Sequence, residues 1–147
     1  MRIIFVDEIS KPPVIVFPWI ADPEKAMKWQ KNVKEGKIIK RNIDIIGTTF
    51  IETIEEDGKA LQMEGIITQY RKDELIGFHI NSKIHNLDVN YSLDDEKEGT
   101  RITIEAMINW KFPMNIISLF ISNKMKTGIL EQLQMEVAEL KKIMESQ

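Results

Sequence analysis

Leu87-Asp88-Val89-Asn90-Tyr91-Ser92-Leu93-Asp94 alternates apolar and polar side chains along its whole length. The stretch Arg101–Trp110 repeats the pattern, setting Ile102, Ile104, Ala106, Ile108 and Trp110 against Arg101, Thr103, Glu105 and Asn109. Glu96-Lys97-Glu98-Gly99 separates the two runs by a polar break of hairpin length. Successive side chains of a strand point to opposite faces, so each run has one dry face and one wet face. Such strands make an antiparallel sheet whose dry side another element must cover.

Working outward, residues 37–111 read as strand after strand. The breaks are a bend at Gly47 after Ile43 and Ile45, a tight turn at Asp57-Gly58, and polar breaks at Lys72-Asp73-Glu74 and Ile84-His85-Asn86. Met1–Ile9 forms a further strand, stopped by Pro12-Pro13. Val14, Phe17 and Ile20 then share one helical face. Asp22-Pro23-Glu24 opens a second short helix, with Asp22 as cap and Pro23 at the first position; it carries Met27 and ends after Trp29.

Downstream, a long helix starts after Pro113 with Asn115 as its cap and runs to about Ser146, roughly 45 Å at 1.5 Å per residue. Leu130, Leu133, Val137, Leu140 and Met144 form its dry stripe. Glu131, Glu136, Glu139, Lys141, Lys142 and Glu145 form its wet side. This helix is the cover the sheet requires. The expected fold is α+β: a curved antiparallel sheet of about seven strands, in the order β-α-α-β6-α, wrapped around a long C-terminal helix.

The 147 residues suit one domain spanning the chain, large enough to need no metal or disulfide staple. Cysteine is absent, which removes disulfides, thiol catalysis and thiolate metal sites. Met1–Glu8 carries no cleavable signal pattern, and no apolar run approaches the roughly 20 residues that cross a bilayer. A soluble cytoplasmic protein is expected. Net charge is −3, which makes no electrostatic case for nucleic acid.

The order of elements resembles the START-like superfamily, also called SRPBCC or helix-grip proteins. That superfamily includes polyketide cyclases, lipid-transfer START domains, coenzyme-Q-binding proteins and plant pollen allergens. The likeness is carried by Ile9-Ser10-Lys11-Pro12-Pro13, Val16-Phe17, Ala21-Asp22-Pro23-Glu24 and Trp29. It continues through Gly47-Thr48-Thr49-Phe50, Ile67-Thr68-Gln69-Tyr70 and Gly99-Thr100-Arg101-Ile102, so it covers the whole chain in order. The resemblance implies a ligand cavity beneath the long helix. It implies no reaction, because fold is no guide to chemistry.

On that resemblance, the inward Tyr91, Ile104, Ile108 and Trp110 line the cavity; on alternation alone they fill a close-packed core. Lys126 falls on the helix face of Leu119, Leu130, Leu133 and Met144, with Ser122 near it. One reading turns Lys126 inward to a ligand carboxylate, a phosphate or an inward acid such as Asp7, which shares strand parity with Phe5 and Ile9. The other lets it reach solvent after a phase break at Gly128. Phe112–Ile121 is apolar nearly all round, and the resemblance sets Met114, Ile117 and Phe120 near the cavity mouth. That segment suits a ligand portal, a homodimer contact, a membrane-touching lip, or a helix start packed under the sheet.

Between positions 24 and 41 seven basic side chains face only Glu24 and Glu35, with Trp29 the lone aromatic; the pattern is that of a solvated surface. His79 and His85 match no metal-ligand spacing and have no evident nucleophile partner, and no glycine loop cradles a phosphate. No catalytic residue, metal or cofactor is expected. The reading is a binder of a small hydrophobic or amphipathic molecule, with Lys126 or Tyr91 as its polar handle. The alternatives are a cyclase or dehydratase and a protein-interaction module with a vestigial cavity. An acid and a base converging inside the cavity favour the enzyme; one polar end in an apolar cavity favours the carrier.

Overall fold

The computed structural model describes residues 1–56 and 58–147, and of Glu56 the backbone alone. In chain order the elements are β1 (Arg2–Ile9), α1 (Pro13–Ala21), α2 (Pro23–Ala26), β2 (Val33–Lys40) and β3 (Thr49–Glu56). They continue as β4 (Lys59–Arg71), β5 (Leu75–Asn81), β6 (His85–Glu96), β7 (Gly99–Trp110) and α3 (Met114–Glu145). All seven strands join one curved sheet in the order β1-β7-β6-β5-β4-β3-β2, and every neighbouring pair is antiparallel. The antiparallel sheet and long C-terminal helix expected from the alternation are observed, in the helix-grip arrangement that the resemblance implies.

Several local expectations are corrected. The strand series begins at Val33 rather than at position 37. The break before β6 is Ser82–Ile84, because His85 and Asn86 already pair with Trp110 and Asn109. Ser82 braces that turn, its hydroxyl accepting from the Ile84 and His85 N–H groups, both at 3.2 Å. On α1 the buried face is Val16, Phe17 and Ile20, whereas Val14 in the first turn is 56% exposed, with nothing covering it. Asp22 does cap α2, accepting from the Glu24 N–H at 3.0 Å, but regular helix ends at Ala26. Pro113 rather than Asn115 holds the cap position of α3. Of the Asp57-Gly58 turn, Asp57 lies outside the described residues.

Strand parity carries through β4 only as far as a bulge between Ile67 and Gln69. Before it Met63, Gly65 and Ile67 are buried; after it the inward residue is Tyr70, which meets the Phe17 ring edge-on at 5.7 Å. The extra residue turns the strand so that it curls toward α1. Trp29, buried, donates its indole N–H to the Trp19 carbonyl at 2.7 Å, which ties the segment after α2 back to α1. Trp29 therefore serves packing, while Lys25 and Lys28 lie over the Trp19 ring at 5.0 and 5.6 Å.

The close-packed core lies toward one edge of the sheet. Val137, Leu140 and Met144 of α3 are fully buried, as are Ile3, Ile102 and Ile104 of β1 and β7, the strands on which α3 packs. Lys141 adds an ion pair to Asp7 of β1 at 2.7 Å. The first half of α3 is different: its backbone leaves helical geometry at Ile121 (φ −124°, ψ 21°), and Leu119 and Phe120 are 78% and 85% exposed. Among the described residues no helix is long and apolar enough to cross a membrane.

On the uncovered half of the sheet, Phe50 of β3 lies opposite Gly65 of β4, and a β-carbon built at Gly65 would overlap the Phe50 ring. The glycine is required for that close approach. Gly65→Ala is therefore expected to destabilise the fold by about 1–3 kcal/mol, as overpacking of a filled site does. Urea denaturation checks this, and an unchanged midpoint would show that the ring is free to move.

Candidate ligand cavity

Seating the second half of α3 on β1 and β7 leaves the concave face of β3, β4, β5 and β6 covered only in part, by the short α1, which packs on β6 and reaches Tyr70 of β4. The space is bounded by α1, α2 and the segment Gln30–Ile45, and on the fourth side by Ile129, Gln132, Leu133 and Glu136 of α3. It encloses about 1230 Å³, which exceeds the usual small-molecule pocket of about 300–1,000 Å³. Its floor is apolar and aromatic. Phe50 meets Phe78 edge-on at 5.5 Å, and Phe78 meets Tyr91 at 6.1 Å.

Three ionisable groups from three elements converge on this space. On β3, alternation turns Phe50, Glu52 and Ile54 inward together. On α3, Glu136 follows Leu133 by three residues and precedes Leu140 by four, so it sits on the dry stripe and is only 8% exposed. The expectation that Glu136 belongs to the wet side is thereby corrected. On β6, Tyr91 shares the inward parity of Leu87 and Val89. Glu136 accepts from the Lys31 backbone N–H at 2.6 Å and from the Gln132 amide at 3.4 Å. Among the described residues Glu52 and the Tyr91 hydroxyl make no side-chain hydrogen bond.

Burial sets the protonation of this cluster. It pushes the Glu52 carboxyl above the ordinary carboxylate range, and the nearby charge of Glu136 pushes further the same way. Glu136 is also raised by burial, against the opposing hydrogen bonds from Lys31 and Gln132 and the Lys31 charge. Burial raises the Tyr91 phenol, with smaller pushes from Glu136 and Glu52. The charge of Glu136 thus acts on Glu52, and the charges of both carboxyls act on Tyr91.

The placement of the expected site residues is mixed. Tyr91, Ile104 and Ile108 line the cavity. Trp110 does not; its cross-strand partner His85 takes the wall position, with the two rings 5.3 Å apart. Ser122 and Lys126 are exposed and off the wall, because α3 reaches the cavity only from Ile129 onward. Asp7 faces α3, but its partner is Lys141, and neither lines the cavity. Met114, Ile117 and Phe120 are likewise off the wall, the last two exposed. The rim is built instead from exposed Lys31, Lys37, Arg41, Asn42 and Lys72.

The histidines differ from expectation in one respect. His85 does meet a serine, Ser82, at 2.8 Å from its Nδ1. That hydroxyl is already engaged by two backbone N–H groups of its own turn, so the contact is a brace. Burial lowers the His85 pKa, with the Lys111 charge pushing the same way. His79 pairs with Asp88 at 2.7 Å on the exposed outer face.

Sequence reading missed Glu52 and Glu136, although the signal was present in both. Glu52 lies two residues from Phe50 and two from Ile54, and Glu136 interrupts an otherwise apolar stripe. A carboxyl raised on folding costs no stability below its unfolded pKa. It becomes a growing penalty as pH rises through the folded value. Glu52→Gln is thus expected to raise the melting temperature at neutral pH, with the difference shrinking as pH falls into the ordinary carboxylate range. Thermal unfolding across that range checks the sign, and a destabilised variant at neutral pH would show that the charge is favourably held.

The comparisons agree with this geometry. A family model described as activator of Hsp90 ATPase homolog 1-like protein matches residues 10–144. A START superfamily protein from Mycobacterium smegmatis superposes with a TM-score of 0.82 at 14% identity, over 99% of this chain and 97% of that one. TTHA0849 from Thermus thermophilus superposes with a TM-score of 0.80 at 15% identity, covering 97% and 95% of the two chains. Ara h 8.0201 gives a TM-score of 0.65 at 17% identity, covering 95% and 97%. No curated protein matches the chain by sequence. These likenesses establish the fold, and the family match over nearly the whole length establishes membership: the chain belongs to the activator of Hsp90 ATPase homolog 1-like family, within the START-like (SRPBCC) superfamily.

Proposed function

We propose that the chain binds a small hydrophobic or amphipathic molecule in this cavity and carries or sequesters it. The observation behind this reading is the cavity of about 1230 Å³, walled largely by apolar side chains and reaching solvent at a polar rim. A carrier is favoured over a cyclase because the acids Glu52 and Glu136 and the Tyr91 phenol stand in a wall that is otherwise largely apolar, and His85 on the same wall is tied to Ser82 of its own turn. A vestigial cavity fits poorly with so large an open interior. The apolar segment Phe112–Ile121 supports a separate contact, in which a second copy covers Leu119 and Phe120.

Native mass spectrometry of protein purified without detergent, repeated under denaturing conditions, tests the carrier reading. A reproducible added mass that disappears on denaturation is expected, and a clean unliganded mass would count against a tight carrier. For the second contact, light scattering should report a dimer that Phe120→Asp converts to monomer. Equal masses for the two proteins would remove the dimer from the account.

A further inference from the structure

We infer that the cavity selects amphipathic molecules whose polar end is a protonated amine or a similar hydrogen-bond-donating cation, seated between Glu52 and Glu136 beside the Tyr91 hydroxyl. The inference rests on the ligand-binding reading above and adds the charge and hydrogen-bonding character of the head group.

Its ground is the unbalanced chemistry of the interior. The wall carries cations, but Lys31, Lys37, Arg41 and Lys72 are all exposed at the rim. Among the described residues neither Glu52 nor Glu136 forms a salt bridge. The donors that do reach inside, the Lys31 backbone N–H and the Gln132 amide, are both directed to Glu136. What the cavity leaves open is therefore mainly acceptor capacity, in the Glu52 carboxyl, the remaining lone pairs of Glu136 and the Tyr91 oxygen, set against the one O–H that Tyr91 can donate.

A head group must complement that set. An ammonium supplies three donors and the missing positive charge, whereas a hydroxyl supplies one donor and no charge. A carboxylate or phosphate head would bring a further negative charge beside two carboxyls whose ionisation burial already disfavours. The apolar floor of Phe50, Phe78 and Val89 accepts a hydrocarbon or aromatic remainder without regard to the head. The two carboxyls come from different elements, β3 and α3, line the one cavity and are near enough for the charge of Glu136 to act on Glu52, so one cation can meet both.

The proposal has a pH signature. The charged and titratable groups that line the cavity with the pair are Lys31, Lys37, Arg41 and Lys72, the acids Asp22, Glu24 and Asp73, and Tyr70, His85 and Tyr91 from the sheet. Bound ammonium favours the ionised carboxylates, so binding releases protons, and amine affinity rises with pH through the range in which the pair ionises. An alkylamine keeps its own proton throughout that range. Affinity for a carboxylate-headed molecule changes in the opposite sense.

Isothermal titration calorimetry of the full chain with decylamine, decanol and decanoate, each below its micelle-forming concentration, separates head from tail. At neutral pH decylamine is expected to bind at least about tenfold more tightly than decanoate, with decanol between them. Glu52→Gln and Glu136→Gln should each weaken decylamine about tenfold while leaving decanol nearly unchanged. Decanoate binding as tightly as decylamine, or variants that leave the order of the three untouched, would overturn the head-group inference while leaving ligand binding intact. Failure of all three to bind would overturn both.

Discussion

Val137, Leu140 and Met144 interlock with Ile3, Ile102 and Ile104, and the rest of the molecule follows from where that contact falls. It anchors α3 at the β1–β7 edge of the sheet rather than across its middle. Each of these side chains is fully buried, and burial of a large aliphatic group stabilises by about 1.5–3 kcal/mol, so the contact fixes the helix firmly. The sheet continues for five more strands and curls, helped by the bulge in β4, but among the described residues no second helix of comparable length crosses it. A cavity is the geometric consequence.

Burying carboxyls in that cavity is costly, and the surroundings compensate them only in part. Glu136 has a backbone N–H and an amide; Glu52 has neither. Glu52 is only half-buried, so its open acceptors face the cavity rather than a closed core. Such incomplete compensation is expected where a ligand completes the set. The short segments α1 and α2, fixed by Trp29 and by the Phe17–Tyr70 contact, close the cavity from the side.

Much of the fold was legible in the sequence because it depends on short-range periodicity. The alternation of Leu87–Asp94 and Arg101–Trp110 fixed β6, β7 and their shared dry face, and the spacing of Leu133, Val137, Leu140 and Met144 fixed the buried stripe of α3. The candidate site was less legible, since it depends on how far elements extend over one another. Lys126 lies on the correct helical face, yet the helix has passed beyond the wall at that point. Trp110 has the correct parity, but His85 opposite occupies the wall. Glu52 and Glu136 were obscured by the ordinary expectation that charge faces water. Both broke an apolar pattern, and departures of that kind gather at functional sites.

The central claim is that ligand enters the interior between sheet and α3 rather than adhering to the exposed start of that helix. Isoleucine methyl groups report on both places at once, because Ile67, Ile104, Ile108 and Ile129 line the cavity while Ile116, Ile117 and Ile121 lie on the exposed segment. A methyl NMR titration of the full chain with decanol follows them together, without relying on head-group charge. The account predicts that the methyls of Ile67, Ile104, Ile108 and Ile129 shift in a saturable way while the other three stay still. Shifts confined to Ile116, Ile117 and Ile121 would contradict it and place the ligand on the surface.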